Sequence, residues 1–89
     1  MKPIRLSGHA QRQLAFRGCS AEEIIEAIQA GAWEQAELGR LQCRKNFAFR
    51  RQWNGVWYAT KQVRPIFVED PGEIVVVTVY VYYFSGGHP

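Results

Sequence analysis

Apolar positions recur along this chain with two different periods, and the change from one to the other divides it. Over the first third the spacing is helical. Ser7 can cap a helix, because its hydroxyl accepts from the exposed amides of the first turn. Ala10, Leu14 and Arg17 follow at helical spacing, and Gly18 is a natural stop. This predicts a short helix over residues 8 to 17. Ser20 and Glu23 form a capping box for a second helix, with Cys19 and Ile24 placed for a hydrophobic staple. Ile24, Ile25 and Ile28 line one face of that helix, and Gly31 ends it. The joint between the helices is so short that they must turn sharply against each other.

After Gly31 the period becomes alternating, as in a half-buried strand. Ala32 to Glu37 predicts a short strand, with Gly39 in the following turn. From Leu41 to Trp53, Leu41, Cys43, Phe47 and Phe49 share one face, and Gln42, Arg44, Asn46 and Arg50 the other; Lys45 interrupts the apolar face. Asn54-Gly55 is a type I′ hairpin signal, since both central residues of that turn need positive φ. Val56 to about Val68 predicts the next strand. Pro65 cannot donate to a ladder, so it implies a bulge, an edge position or an early end. Glu69-Asp70-Pro71-Gly72 reads as a turn. The last strand runs from Ile74 to Phe84, with Val75, Val77, Val79, Val81 and Tyr83 towards the core and Thr78, Tyr80 and Tyr82 on the opposite face. Residues 85–89 read as a flexible tail. The expectation is a single domain over 1–89 of the α+β class: two short N-terminal helices packed on one face of a three- to four-stranded antiparallel sheet.

Composition narrows the class. The chain is 47% hydrophobic and 13% aromatic, which predicts a packed core rather than disorder. The apolar stretch from Ile74 to Phe84 is too short for a membrane helix and rich in β-branched residues. The N-terminus has no apolar run of the signal-peptide type, so the expected location is cytoplasmic. Cys19 and Cys43 fit no zinc spacing and read as small buried hydrophobes. No metal site built from His9, Cys19, Cys43 and His88 is supported, and no cofactor is expected.

The net charge is only +3, but its distribution is uneven. Arg40, Arg44, Lys45, Arg50, Arg51, Lys61 and Arg64 fall in a span without a single acid; the acids cluster before and after it. A positive middle with acidic flanks suggests a surface facing a polyanion or an acidic partner; the alternative is a solvated strand face.

Histidine is the side chain that exchanges a proton near neutrality, and His9 stands in the first turn of the first helix, with Arg12 one turn on. Cleaving RNA by internal attack needs a base for the 2′-hydroxyl, an acid for the leaving oxygen and positive charge for the phosphorane. His9 and Arg12 fit the first and third roles. Arg17, Arg44, Arg50, Lys61 and Arg64 are candidates for phosphate contacts, and Tyr80 for stacking on a base or donating a proton. Each has a plainer alternative. His9 can fix the helix to the sheet, Arg12 can pair with Glu26, Arg17 can cap its helix, and the tyrosines can be packing residues.

Leu6-Ser7-Gly8-His9-Ala10, Arg17-Gly18, Ser20-x-Glu22-Glu23-Ile24 and the closing Val77-Thr78-Val79-Tyr80 occur in an order and spacing that resemble the domain of unknown function 4258 family. The resemblance implies kinship with RelE-like and BrnT-like ribonuclease toxins and a RelE- or barnase-like sheet. It also implies RNA cleavage without a metal and, as partners, RNA and a cognate antitoxin. The lysine typical of such sites would be Lys61. The functional expectation is therefore a metal-independent ribonuclease of toxin–antitoxin type, with catalytic His9, Arg12, Lys61 and Tyr80. The alternative is a non-catalytic nucleic-acid- or protein-binding module of the same fold. A homodimer through the valine- and tyrosine-rich last strand is a further expectation, if that strand is an exposed edge.

Overall fold

The computed structural model describes residues 1–85; the expected tail beyond Ser85, with His88, lies outside the described residues. The elements are β1 (Ile4–Leu6), α1 (Gly8–Arg17), α2 (Ala21–Ala30), β2 (Glu34–Gln35), a single turn of 3-10 helix at Glu37–Gly39, β3 (Leu41–Gln42), β4 (Lys45–Trp53), β5 (Val56–Glu69) and β6 (Ile74–Phe84). Both α-helices begin and end where local chemistry predicts. Ser7 Oγ accepts from Ala10 N at 3.1 Å, and Gly18 closes α1 with φ +75°. The Ser20–Glu23 capping box is complete in both directions. Among the described residues no helix is long and apolar enough to cross a membrane.

The class is α+β, but the sheet is larger than expected and mixed. Its order is β1-β6-β5-β3-β2, with β4 pairing the other half of β5. β1 runs parallel to β6, and the remaining pairs are antiparallel. The extra strands escape a periodicity reading because they are two or three residues long, and β1 finds its partner some seventy residues away. β6 is accordingly not an open edge throughout: Ile74–Val76 are flanked by β1 on one side and β5 on the other.

Two register breaks correct the expected strands. The run from Leu41 to Trp53 is not one strand; it splits at Cys43-Arg44 into β3 and β4. β5 therefore has no ladder partner on that side between Val63 and Ile66, and Pro65 sits there, in a locally edge-like position within a continuous strand. In β6, Val76 pairs with Phe67 and Thr78 with Ile66, so Val77 is inserted as a bulge. One extra residue reverses the facing of everything before it. The core side chains are thus Ile74 and Val76 before the bulge and Val79 after it, not Val75 and Val77.

The helices cover one face. Ala10 of α1 and Ile24, Ala27 and Ile28 of α2 pack with Val63 and Phe67 of β5 and with Ile74, Val76 and Val79 of β6. Trp33 closes one end, edge-on to Phe67 with ring centroids 5.1 Å apart, its indole donating to Ile28 O at 2.9 Å. At the other end Tyr83 stacks on Trp53 and meets Phe49 and Tyr58.

β4 carries a bulge of its own. Ala48 pairs with Thr60 and Arg51 with Tyr58, leaving Arg50 in the left-handed region at φ 53°. That conformation costs a residue with a Cβ about 1–2 kcal/mol, and glycine escapes most of it. Arg50 is exposed. Arg50→Gly is expected to raise stability by about 0.5–1 kcal/mol; a fall in the thermal midpoint would show that the arginine contributes something else.

Candidate functional site

α1 lies along β6 and presents to it one stripe of side chains at positions i, i+4 and i+8: His9, Gln13 and Arg17. They are linked. His9 Nε2 is 3.2 Å from Thr78 Oγ1 and 3.5 Å from Gln13 Nε2. Arg17 Nε donates to Gln13 Oε1 at 3.1 Å. Both groups facing His9 Nε2 are able to donate, which favours the tautomer with the ring proton on Nδ1. The capping serine anchors the start of this stripe. Besides capping α1, Ser7 Oγ donates to Val77 O at 3.0 Å, at the bulge that turns Thr78 to meet His9.

Beyond the bulge, Thr78, Tyr80 and Tyr82 form a row on β6. Arg17 places its guanidinium 5.7 Å from the centroid of the Tyr80 ring. Arg64 is paired with Tyr80 across β5 and β6 and lies 5.0 Å from the centroid of Tyr82. Its Nη2 donates to Gln62 Oε1 at 3.3 Å, and Gln62 donates on to Asn46 Oδ1. Its Nε is buried without a partner among the described residues. Tyr80 and Tyr82 are each 41% exposed, so their rings remain open to a ligand rather than serving only as packing.

The electrostatics sharpen this surface. Among the described residues Lys2, Arg5, Arg44, Lys45 and Lys61 are engaged by Glu69, Glu73, Glu34, Glu26 and Glu23 respectively. The basic residues outside these pairs are all arginines: Arg12, Arg17, Arg40, Arg50, Arg51 and Arg64. Arg17 and Arg64 flank the tyrosine row directly. The basic middle of the sequence is thus not one continuous polyanion surface, because three of its cations are neutralised by glutamates of α2 and β2.

The structure brings together His9, Arg17, Arg64 and Tyr80, and it places Lys61, Arg44 and Arg50 elsewhere, whereas the Arg12 guanidinium lies back over Gly8, next to His9. Lys61 is 3% exposed; its Nζ donates to Glu23 at 2.9 Å and to Gly18 O at 3.0 Å. It pairs with Tyr83, five residues along β6 from Thr78, which at strand rise puts it roughly 17 Å from the His9 contact. The expected catalytic lysine is therefore a buried structural cation. Arg44 is held by Glu34, and Arg50 sits on the β4 bulge across the sheet. Arg12 does not pair with Glu26, which is taken by Lys45 at 3.2 Å. Gln13 and Gln62 belong to this surface and were missed. For Gln13 the signal was available, as the middle of the His9-to-Arg17 spacing.

Both cysteines behave as small apolar residues. Burial first, and then the Glu23 carboxylate, push the Cys19 thiol up to about 11. Burial, then Glu34, does the same to Cys43, whose Sγ lies 3.3 Å from Ala27 O. Neither is a ready thiolate at neutral pH.

These observations define a small α+β domain with two helices on one face of a mixed sheet and an imidazole–arginine–tyrosine surface along β6. The chain matches no family model, no curated protein and no solved structure.

Proposed function

We propose that the protein is a metal-independent ribonuclease of toxin type, acting on single-stranded RNA in the cytoplasm and restrained there by a cognate antitoxin. The observation that carries the reading is the alignment of His9 with Arg17, Tyr80 and Arg64 along one edge of the sheet. Exposed tyrosines offer stacking platforms that double-stranded RNA cannot use. The arginines without carboxylate partners supply positive charge for the phosphates. In this reading His9 takes the proton from a 2′-hydroxyl, and the 2′-oxygen attacks the adjacent phosphorus. The bond from phosphorus to the 5′-oxygen breaks, and that oxygen receives a proton from the Tyr80 hydroxyl. The products are a 2′,3′-cyclic phosphate and a 5′-hydroxyl end. Arg17 stabilises the charge on the phosphorane.

A non-catalytic RNA-binding module is the second reading. The burial of Lys61 favours it, since that removes one cation from the expected catalytic set.

The test is incubation of RNA with purified protein in excess chelator. Wild type is expected to cut, and His9→Ala to be slower by about 10²–10⁴-fold, with circular dichroism unchanged because His9 is exposed. Salt-dependent RNA binding without cleavage selects the binding module. Absence of both sinks the two readings together.

A further inference from the structure

A cavity of about 390 Å³ opens beside Tyr80, where the turn between β2 and β3 curls over the sheet. Ile66 and Gln42, paired across β5 and β3, line it together with Glu37, Leu38 and Arg40 of the turn. Its size falls within the roughly 300–1,000 Å³ of small-molecule sites.

Two features of this cavity lack an internal purpose, and a third sets its place beside His9. Glu37 and Arg40 both line it, yet neither forms an ion pair, with each other or with any other described residue. A carboxylate with free lone pairs and a guanidinium with free protons therefore share one small space. Leu38 is 84% exposed and held at φ 60°, with Gly39 at φ 71°. Two successive left-handed residues form a turn that ordinarily selects asparagine or glycine. An apolar side chain is kept here, at a conformational cost, on the rim of the cavity. Ile66 pairs with Thr78, the residue that holds His9. The Ile66 wall of the cavity therefore lies about one strand spacing, near 4.8 Å, from Thr78.

We infer that this cavity takes a guanine base of the RNA, next to the phosphate that His9 addresses; the inference rests on the ribonuclease reading above. A carboxylate accepts only, and grips best an edge with two adjacent donors. Guanine presents N1–H and the N2 amino group side by side. Adenine, cytosine and uracil each present a single donor group with an acceptor, not a second donor, beside it. The O6 acceptor of guanine then meets the Arg40 guanidinium or the Gln42 amide. The flat faces of the base lie against the Tyr80 ring and the Leu38 side chain, which covers that leucine.

The test is fluorescence anisotropy with uridine octamers carrying one central guanine, inosine or adenine, all 2′-O-methylated so that internal attack is blocked. The guanine octamer is expected to bind at least about tenfold more tightly than the adenine one, as for a bidentate base contact. Inosine, which lacks the N2 amino group, should fall between them. Glu37→Gln should bring the guanine-to-adenine ratio to within about threefold. Equal binding of all three octamers overturns the guanine pocket and leaves the RNA reading standing. If no octamer binds, the RNA reading fails, and guanosine monophosphate titrated against the NMR signals of Gln42 and Tyr80 decides the pocket by itself. Larger shifts than with adenosine monophosphate uphold it; no shift overturns it.

Discussion

Glu23→Ala is expected to destabilise the protein by about 2–4 kcal/mol, lowering the thermal midpoint by roughly 10–25 °C for a domain of this size. Glu23 does two jobs with one carboxylate. It closes the capping box of α2 by accepting from Ser20 N at 3.0 Å, and it neutralises Lys61 at 2.9 Å. Lys61 has a side chain only 4% exposed, whereas that of Glu23 is 25% exposed. Removing the glutamate therefore strands a buried ammonium left with the Gly18 carbonyl and the face of Phe49, 5.4 Å away at its centroid, and no counter-charge. Removing the lysine leaves a carboxylate that water can reach and that still caps its helix. Lys61→Met, which keeps the volume of the stem, should accordingly cost much less, about 0–2 kcal/mol. The asymmetry is the test: thermal denaturation showing Lys61→Met as damaging as Glu23→Ala would mean that the pair itself, rather than the orphaned charge, governs stability. Lys61→Met should also leave RNA binding intact, because the lysine is buried at the far end of α1 from His9.

Gly18→Ala is expected to cost about 2–4 kcal/mol in urea denaturation, through two additive effects. Gly18 has φ +75°, so any Cβ meets the left-handed penalty. That Cβ would also stand 2.5 Å from Tyr83 Oη and 2.8 Å from two carbons of the Trp53 ring. Neither neighbour yields easily. The Tyr83 hydroxyl donates to Arg17 O at 2.6 Å, and its ring is packed between Trp53, Phe49 and Tyr58. Burial of this phenol, with Cys19 and Glu23 nearby, pushes it up to about 12. Gly72→Ala is the control, since its Cβ would meet nothing within 4 Å and its φ is not positive. It should change stability by no more than about 0.5 kcal/mol. A tolerated Gly18→Ala would mean that the helix end can shift away from Tyr83, and Arg17 with it.

How much could be read in advance depends on the range of the interaction. Ser7, Gly18, the Ser20–Glu23 box and Gly31 marked the helices correctly, because caps and stops act within four residues. Asn54-Gly55 likewise marked the β4–β5 turn, where both residues have positive φ. β1 could not be read, because it is three residues long and its partner lies some seventy residues away. β2 fell within the short strand expected over Ala32 to Glu37, and β3 within the run from Leu41, but the break between β3 and β4 shows only in the pairing with β5. The facing of β6 was read correctly from Val79 onwards and inverted before it, because an inserted residue shows itself only in the register with β5.

The candidate site divides in the same way. Sequence alone determined the chemistry on offer: an imidazole in a first helical turn, arginines, and tyrosines alternating along a strand. It also determined the two helices and the α+β class, since these follow from local spacing and the need to bury one apolar face. Which cations are free for a ligand was decided only by tertiary structure, because ion pairing joins residues from different elements. Lys61 left the surface to neutralise Glu23, and Arg44 was taken by Glu34. Arg17 came to lie against Tyr80 because α1 packs along β6, and Arg64 against Tyr82 because the register of β5 with β6 pairs Arg64 with Tyr80.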